Sequence, residues 1–75
     1  MNTLQRVRRI LVEQLDITEE EVTMTASITD DLGADSLDAI EISIAIEEEF
    51  KIEIPDEDQK EMTTVQQIVN YIDKN

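Results

Sequence analysis

The stretch DLGADSLDAIEISIAIEEEF, residues 31–50, holds the only glycine of the chain, followed by a long apolar and acidic run without proline. Asp35 suits the N-cap position of a helix over residues 36–50, and Asp38 at N3 suits the positive helix end. Gly33 allows a tight turn just before this helix and leaves the hydroxyl of Ser36 accessible. The stretch therefore predicts a long helix that begins at Ser36.

This helix has two apolar faces when residues are placed at about 100° intervals. One face is an ordinary core stripe, made of Ala39, Ile42, Ser43, Ile46 and Phe50. The opposite side interleaves apolar and acidic residues, namely Leu37, Ile40, Ile44, Glu41, Glu47 and Glu48. Either the helix is buried on both faces, or the second face is an exposed docking surface for proteins with basic patches.

The segments around this helix also follow helical periods. Leu4, Val7, Leu11 and Leu15 predict an amphipathic helix over residues 3–15, with Thr3 as a possible cap. Residues 16–34 form a long first loop, in which Thr18 and Glu21 suit the capping box of one short turn. Spaced apolar residues pin this loop to the core: Ile17, Val22, Met24, Ile28 and Leu32.

The C-terminal third predicts two further helices. A linker over residues 51–55 turns Ile52 and Ile54 inward, and a short helix spans residues 56–61. A last helix spans residues 64–73, and Thr63 with Gln66 suits a capping box at its start. Its apolar stripe consists of Val65, Ile68, Val69 and Ile72. The fold class is all-α, a small four-helix bundle with three main helices and one short helix, in one domain over residues 1–75.

Composition limits the function. The 75 residues carry a formal net charge of −13, and no Lys or Arg occurs from Ile10 to Phe50. This acidity disfavours nucleic acid and anionic membranes and attracts basic protein surfaces, whereas Arg6, Arg8 and Arg9 form a small basic pole. No apolar run predicts membrane insertion or a signal peptide, so a soluble cytoplasmic or organellar-matrix protein is expected. A monomer is also expected.

Ser36 admits several roles. The chain has no His and no Cys, so a serine nucleophile lacks its usual base, and a serine hydrolase is disfavoured. A calcium loop over residues 30–41 is excluded because Leu32, Ala34 and Asp35 stand where ligands and glycine are needed. Two roles stay open: a helix cap shared with Asp35, and a site where another enzyme attaches a phosphate group.

The whole chain resembles a bacterial or plastid-type acyl carrier protein. The resemblance rests on DLGADSLDAIEISIAIEEEF, followed by IEIPDED at residues 52–58 and TTVQQIVNYI at residues 63–72. It implies a non-enzymatic carrier with no catalytic residue and no metal site. A phosphopantetheinyl transferase would attach 4′-phosphopantetheine to Ser36, and the terminal thiol would carry acyl groups as thioesters for fatty-acid biosynthesis.

The resemblance also implies two sets of contacts. Residues of the second helix would bind the transferase and the fatty-acid synthesis enzymes through their basic docking patches: Asp35, Leu37, Asp38, Ile40, Glu41, Ile44, Glu47 and Glu48. The acyl chain would lie among Ile46, Phe50, Ile54, Ile68 and Ile72, which are equally suited to an ordinary core. Ser43 departs from the family pattern, where an aliphatic residue is common, and Ile44 stands where Met is frequent.

Other functions stay open at this point. A carrier of this type also serves polyketide, lipid A, lipoate or peptide pathways. A different class is an acidic helical adaptor in which Ser36 is a cap or a kinase site.

Overall fold

The computed structural model describes residues 2–74, which form a small bundle of helices around one apolar core. The long helices are α1 (Thr3–Leu15), α2 (Ser36–Phe50) and α4 (Val65–Lys74), and the short helix is α3 (Asp56–Gln59). A 3-10 helix spans Glu19–Glu21 within the first loop. Residues 2–74 contain no β-strand, only an isolated bridge between Ser27 and Thr64. The predicted all-α four-helix bundle is confirmed.

Helix α1 packs against both α2 and α4 and supplies the centre of the core. Val7 and Leu11 are fully buried, as their helical spacing predicts. The cap differs from the prediction: Asn2, not Thr3, accepts the Gln5 N–H at 2.8 Å, and the Gln5 side chain accepts the Asn2 N–H. Thr3 is already helical, and its hydroxyl instead donates to Asp73 at 2.7 Å.

The long first loop is pinned to the core as predicted. Val22, Ile28 and Leu32 are buried, and the Glu21 carboxylate accepts the Thr18 N–H at 2.9 Å at the start of the 3-10 helix. Backbone bonds tie the loop to the residues before α4: the Ile28 N–H donates to the Thr63 carbonyl, and the Val65 N–H to the Ala26 carbonyl. These bonds hold the segment that precedes Ser36 in one place.

Three predicted boundaries are corrected near the C-terminus. Helix α3 ends at Gln59 rather than residue 61, because the chain continues there in tight turns. Helix α4 begins at Val65 and ends at Lys74, one residue later at each end than predicted. Thr64 pairs in extended conformation with Ser27 and so becomes the cap, with Gln67 as its partner in place of the predicted Thr63 and Gln66.

The core is entirely apolar in the described part of the chain, with no buried polar or charged residue. Ile54 is buried and Ile52 is half-buried, as predicted for the linker. Within residues 2–74, every helix is too short or too polar to cross a bilayer.

Candidate functional site

Ser36 is the first residue of α2 and is exposed. Gly33 has a φ of 76°, a left-handed conformation that glycine adopts without strain, and it directs the chain into the helix. Asp35 caps the helix as predicted: its carboxylate accepts the Asp38 N–H at 2.9 Å, and Asp38 accepts the Asp35 N–H at 3.2 Å. This capping box fixes the backbone on either side of Ser36.

The polar groups at the start of α2 are available for a ligand. The Ser36 hydroxyl and the N–H groups of Ser36 and Leu37 make no hydrogen bond within residues 2–74. Amide groups at a helix N-terminus carry partial positive charge and favour a phosphate oxygen. An alcohol at this position is therefore suited to bear a phosphate ester.

Next to Ser36, α2 carries an exposed apolar strip, which consists of Leu37, Ile40 and Ile44. Their side chains are 63%, 51% and 49% exposed. The core face of the same helix holds Ile42 and Ile46, which are 3% and 1% exposed. Burial of both faces, the alternative left open by the sequence, is wrong because all three residues of the strip are about half exposed or more.

The acidic residues predicted to contact partners fall into two groups. Glu41 and Glu48 are exposed beside the apolar strip and make no contact with a cation within residues 2–74. Asp35, Asp38 and Glu47 serve the fold: the first two form the capping box, and Glu47 accepts the Ile54 N–H at 2.8 Å. The first group has both carboxylate oxygens unbonded within residues 2–74, and each member of the second group keeps one oxygen unbonded.

A groove opens beside Ser36 along α2, and Ile40 of the apolar strip forms part of its edge. Its volume is about 460 Å³, within the range typical of small-molecule sites. The residues that line it come from the first loop, α2, α3 with the turn that follows, and α4: Ile28, Ser36, Ala39, Ile40, Ile42, Ser43, Ile46, Asp56, Gln59, Lys60, Met62 and Ile68. The wall is mostly apolar, and the charged residues lie near α3.

The five residues predicted to line an acyl pocket are divided by the structure. Ile46 and Ile68 lie in the groove wall. Ile54 and Ile72 are buried in the core, outside that wall. Phe50 is half-buried at the end of α2, under the Arg6 guanidinium at 4.2 Å from its ring centre.

Several groove residues were not predicted. Ala39 and Ser43 follow Ser36 at helical spacing, so the period of α2 was sufficient to place them on this wall. Ile28, Gln59 and Met62 come from the loop and from α3 with the turn after it, and their positions depend on packing that no local pattern encodes.

Charged groups away from Ser36 hold the helices together. Arg6 pairs with the Glu49 carboxylate at 2.8 Å and donates to the Glu49 carbonyl at 2.9 Å, which satisfies a carbonyl at the end of α2. The Tyr71 hydroxyl donates to Asp58 at 2.7 Å, and this hydrogen bond raises the pKa of Tyr71 above its ordinary value. The first contact joins α1 to α2, and the second joins α3 to α4.

An exposed serine at a helix start, with free amide groups, an exposed apolar strip and a groove beside it, is typical of a carrier that receives a phosphate-linked arm. The sequence model of the family described as "Phosphopantetheine attachment site" matches residues 5–72. The match covers nearly the whole chain, so the protein belongs to this family of carrier domains.

Family membership defines the cofactor and the class of function. The protein carries 4′-phosphopantetheine covalently on a serine and transports acyl or peptidyl groups as thioesters. It is a non-catalytic carrier that works with partner enzymes. The adaptor hypothesis gives way to the carrier hypothesis on this match.

Proposed function

We propose that Ser36 bears the arm and that the protein carries acyl intermediates of fatty-acid biosynthesis. The chain has three serines, at positions 27, 36 and 43. Ser27 is half-buried, and its hydroxyl accepts the Asp30 N–H at 3.2 Å. Ser43 is half-buried in the middle of α2. Ser36 alone is exposed, unbonded and at a helix start, which is the observation that carries the assignment.

The residues around Ser36 fit a phosphodiester. The Ser36 oxygen is accessible to a transferase, and the amide groups of Ser36 and Leu37 can donate to phosphate oxygens. Once bound, the arm supplies a terminal thiol that holds acyl groups as thioesters. The chain itself has no cysteine, so no second thiol competes for the cargo.

The apolar strip with Glu41 and Glu48 is the proposed docking face for the transferase and the fatty-acid synthesis enzymes. An apolar centre with a charged rim is typical of protein interfaces. The net charge of −13 favours encounter with basic patches and keeps copies of the protein apart, which supports a monomer; we place it in the cytoplasm. Asp35, Asp38 and Glu47 belong to the same proposed face: each uses one carboxylate oxygen to hold α2 or the linker in position and keeps the other for a partner.

The groove is the proposed site for the acyl chain. It begins at Ser36 and runs between α2 and α3 toward Ile46 and Ile68, so cargo on a Ser36-linked arm can enter it. Phe50, Ile54 and Ile72 lie outside the groove wall and would reach the cargo only if the core opens further. The fatty-acid assignment is supported by the resemblance of residues 31–50 to the acyl carrier pattern and by this mostly apolar groove.

Intact mass tests the assignment. Incubation with coenzyme A and a phosphopantetheinyl transferase should add one arm to the protein and to Ser27→Ala, whereas Ser36→Ala should gain nothing. Incubation of the loaded protein with malonyl donor and fatty-acid synthesis enzymes should then extend an acyl cargo. An arm on Ser36→Ala would overturn the Ser36 assignment, and a loaded protein that is never extended would overturn the pathway.

A further inference from the structure

One polar side chain interrupts the α2 wall of the groove. The other α2 residues along the wall beyond Ser36 are apolar: Ala39, Ile40, Ile42 and Ile46. Ser43 lies among them, half-buried, and its hydroxyl makes no hydrogen bond within residues 2–74. Ser43 lies seven positions after Ser36, so both lie on the same helix face, about 10 Å apart along the axis.

We infer that Ser43 makes this groove selective for acyl chains that carry a polar substituent, a hydroxyl or keto group, over plain saturated chains. The inference rests on the proposed attachment at Ser36 and names the class of cargo for the same site. A plain alkyl chain against Ser43 removes water from the hydroxyl and returns no hydrogen bond, which is unfavourable. A hydroxyl or keto group on the acyl chain replaces the hydrogen bond that the Ser43 hydroxyl loses to water.

The helix gives Ser43 one internal alternative. A serine within a helix can donate to the carbonyl four residues earlier, here that of Ala39. The lone pairs of the hydroxyl oxygen then still lack a donor, and a hydroxyl on the cargo can supply one. The preference is therefore reduced but not abolished, and we expect a factor of about ten in the population of cargo held in the groove.

The rest of the groove supports a mixed rather than a purely apolar cargo. Asp56, Gln59 and Lys60 line its α3 side, opposite the α2 wall. Gln59 is already used, because its side chain donates to the Ile54 carbonyl at 3.3 Å. Ser43 is thus the unbonded polar group on the apolar α2 wall itself, where it would contact the acyl chain of the cargo.

Thermal unfolding of loaded protein tests the inference. The full chain is loaded from octanoyl coenzyme A and from octanoyl derivatives hydroxylated at carbon 3, 5 or 7, and each product is verified by intact mass. At the position that meets Ser43, the hydroxylated cargo should raise Tm relative to octanoyl by about 5 °C, the shift typical of a tenfold population change in a domain of this size. The difference should disappear in Ser43→Ala and persist in Ser43→Thr.

The two proposals fail in different ways. No mass increment on the wild-type protein would overturn the Ser36 attachment and this inference with it. If loading succeeds but no hydroxylated cargo gains stability over octanoyl, or if Ser43→Ala keeps the gain, Ser43 does not select the cargo and the attachment stands. The mass spectrum and the Tm series therefore report on the two proposals separately.

Discussion

Reversing two charges beside the apolar strip should slow loading of Ser36 without unfolding the protein. Glu41 and Glu48 are exposed and hold no partner within residues 2–74, so Glu41→Lys with Glu48→Lys breaks no internal contact. The matched control is Glu20→Lys with Glu53→Lys, whose side chains are also exposed and lie off α2. Each double variant adds four charges, so both change the net charge from −13 to −9.

The expected effect follows from the exposure of these carboxylates. An exposed ion pair contributes roughly 0.2–1 kcal/mol, and reversal replaces attraction by a repulsion of similar size. Two reversals at the interface therefore weaken the complex by about 2 kcal/mol, which is roughly a thirtyfold change in affinity. The control changes only the long-range attraction, which is largely screened at physiological salt, so we expect a change of about threefold or less.

The assay is kcat/KM for transfer of the arm by a phosphopantetheinyl transferase, followed by intact mass at low and at high salt. The effect of the Glu41 and Glu48 reversals should shrink as salt rises, because exposed charges are screened. Circular dichroism and thermal unfolding of each variant provide the fold control.

Two results would refute the docking face. If the Glu20 and Glu53 variant slows loading as much as the Glu41 and Glu48 variant, net charge alone is responsible. If the Glu41 and Glu48 variant is loaded at the wild-type rate with unchanged circular dichroism, the transferase binds elsewhere.

Three further predictions concern stability. Arg6→Ala removes an ion pair, a hydrogen bond to a carbonyl and a contact with the Phe50 ring, and should lower the free energy of unfolding by about 2 kcal/mol. Chemical denaturation measures this loss, and most of it should remain at high salt. A loss that salt abolishes would contradict the prediction. The pKa of Tyr71, measured by ultraviolet titration, should lie above 10.0 and should fall in Asp58→Asn. Because folding raises this pKa, the Tyr71 hydroxyl stabilises the fold at pH values below the pKa of tyrosine in the unfolded chain. That stabilisation is lost as the pH rises through the pKa of Tyr71 in the folded protein. Gly33 has a φ of 76°, where a side chain is strained although no atom would clash with it, so Gly33→Ala should lower the free energy of unfolding by about 1 kcal/mol. Lys51 has a φ of 56°, and Lys51→Gly should raise the free energy of unfolding by a similar amount. Variants with the Tm of the wild-type protein would contradict both predictions.

Signals confined to a few neighbouring residues predicted the local structure well. The bounds of α1 follow from its apolar period and those of α2 from its period and its Asp35 cap, and the structure places both helices at the predicted residues. The error at the start of α4 has a tertiary cause, because Thr64 is held by its bridge to Ser27, which is distant in sequence. A capping pattern one residue away was locally as plausible as the one that forms.

The candidate site divides in the same way. The sequence by itself determined that Ser36 stands at the start of a helix behind a glycine, and that α2 has two apolar stripes, because both depend only on residue order and helical period. Only the tertiary structure decided that the second stripe, with Leu37, Ile40 and Ile44, stays exposed to solvent. It also decided that Ile28, Met62 and Ile68 meet α2 to form the groove. The physical reason is that burial and cavities arise where separate segments pack, and the local pattern of this helix is compatible with burial of one face or of both.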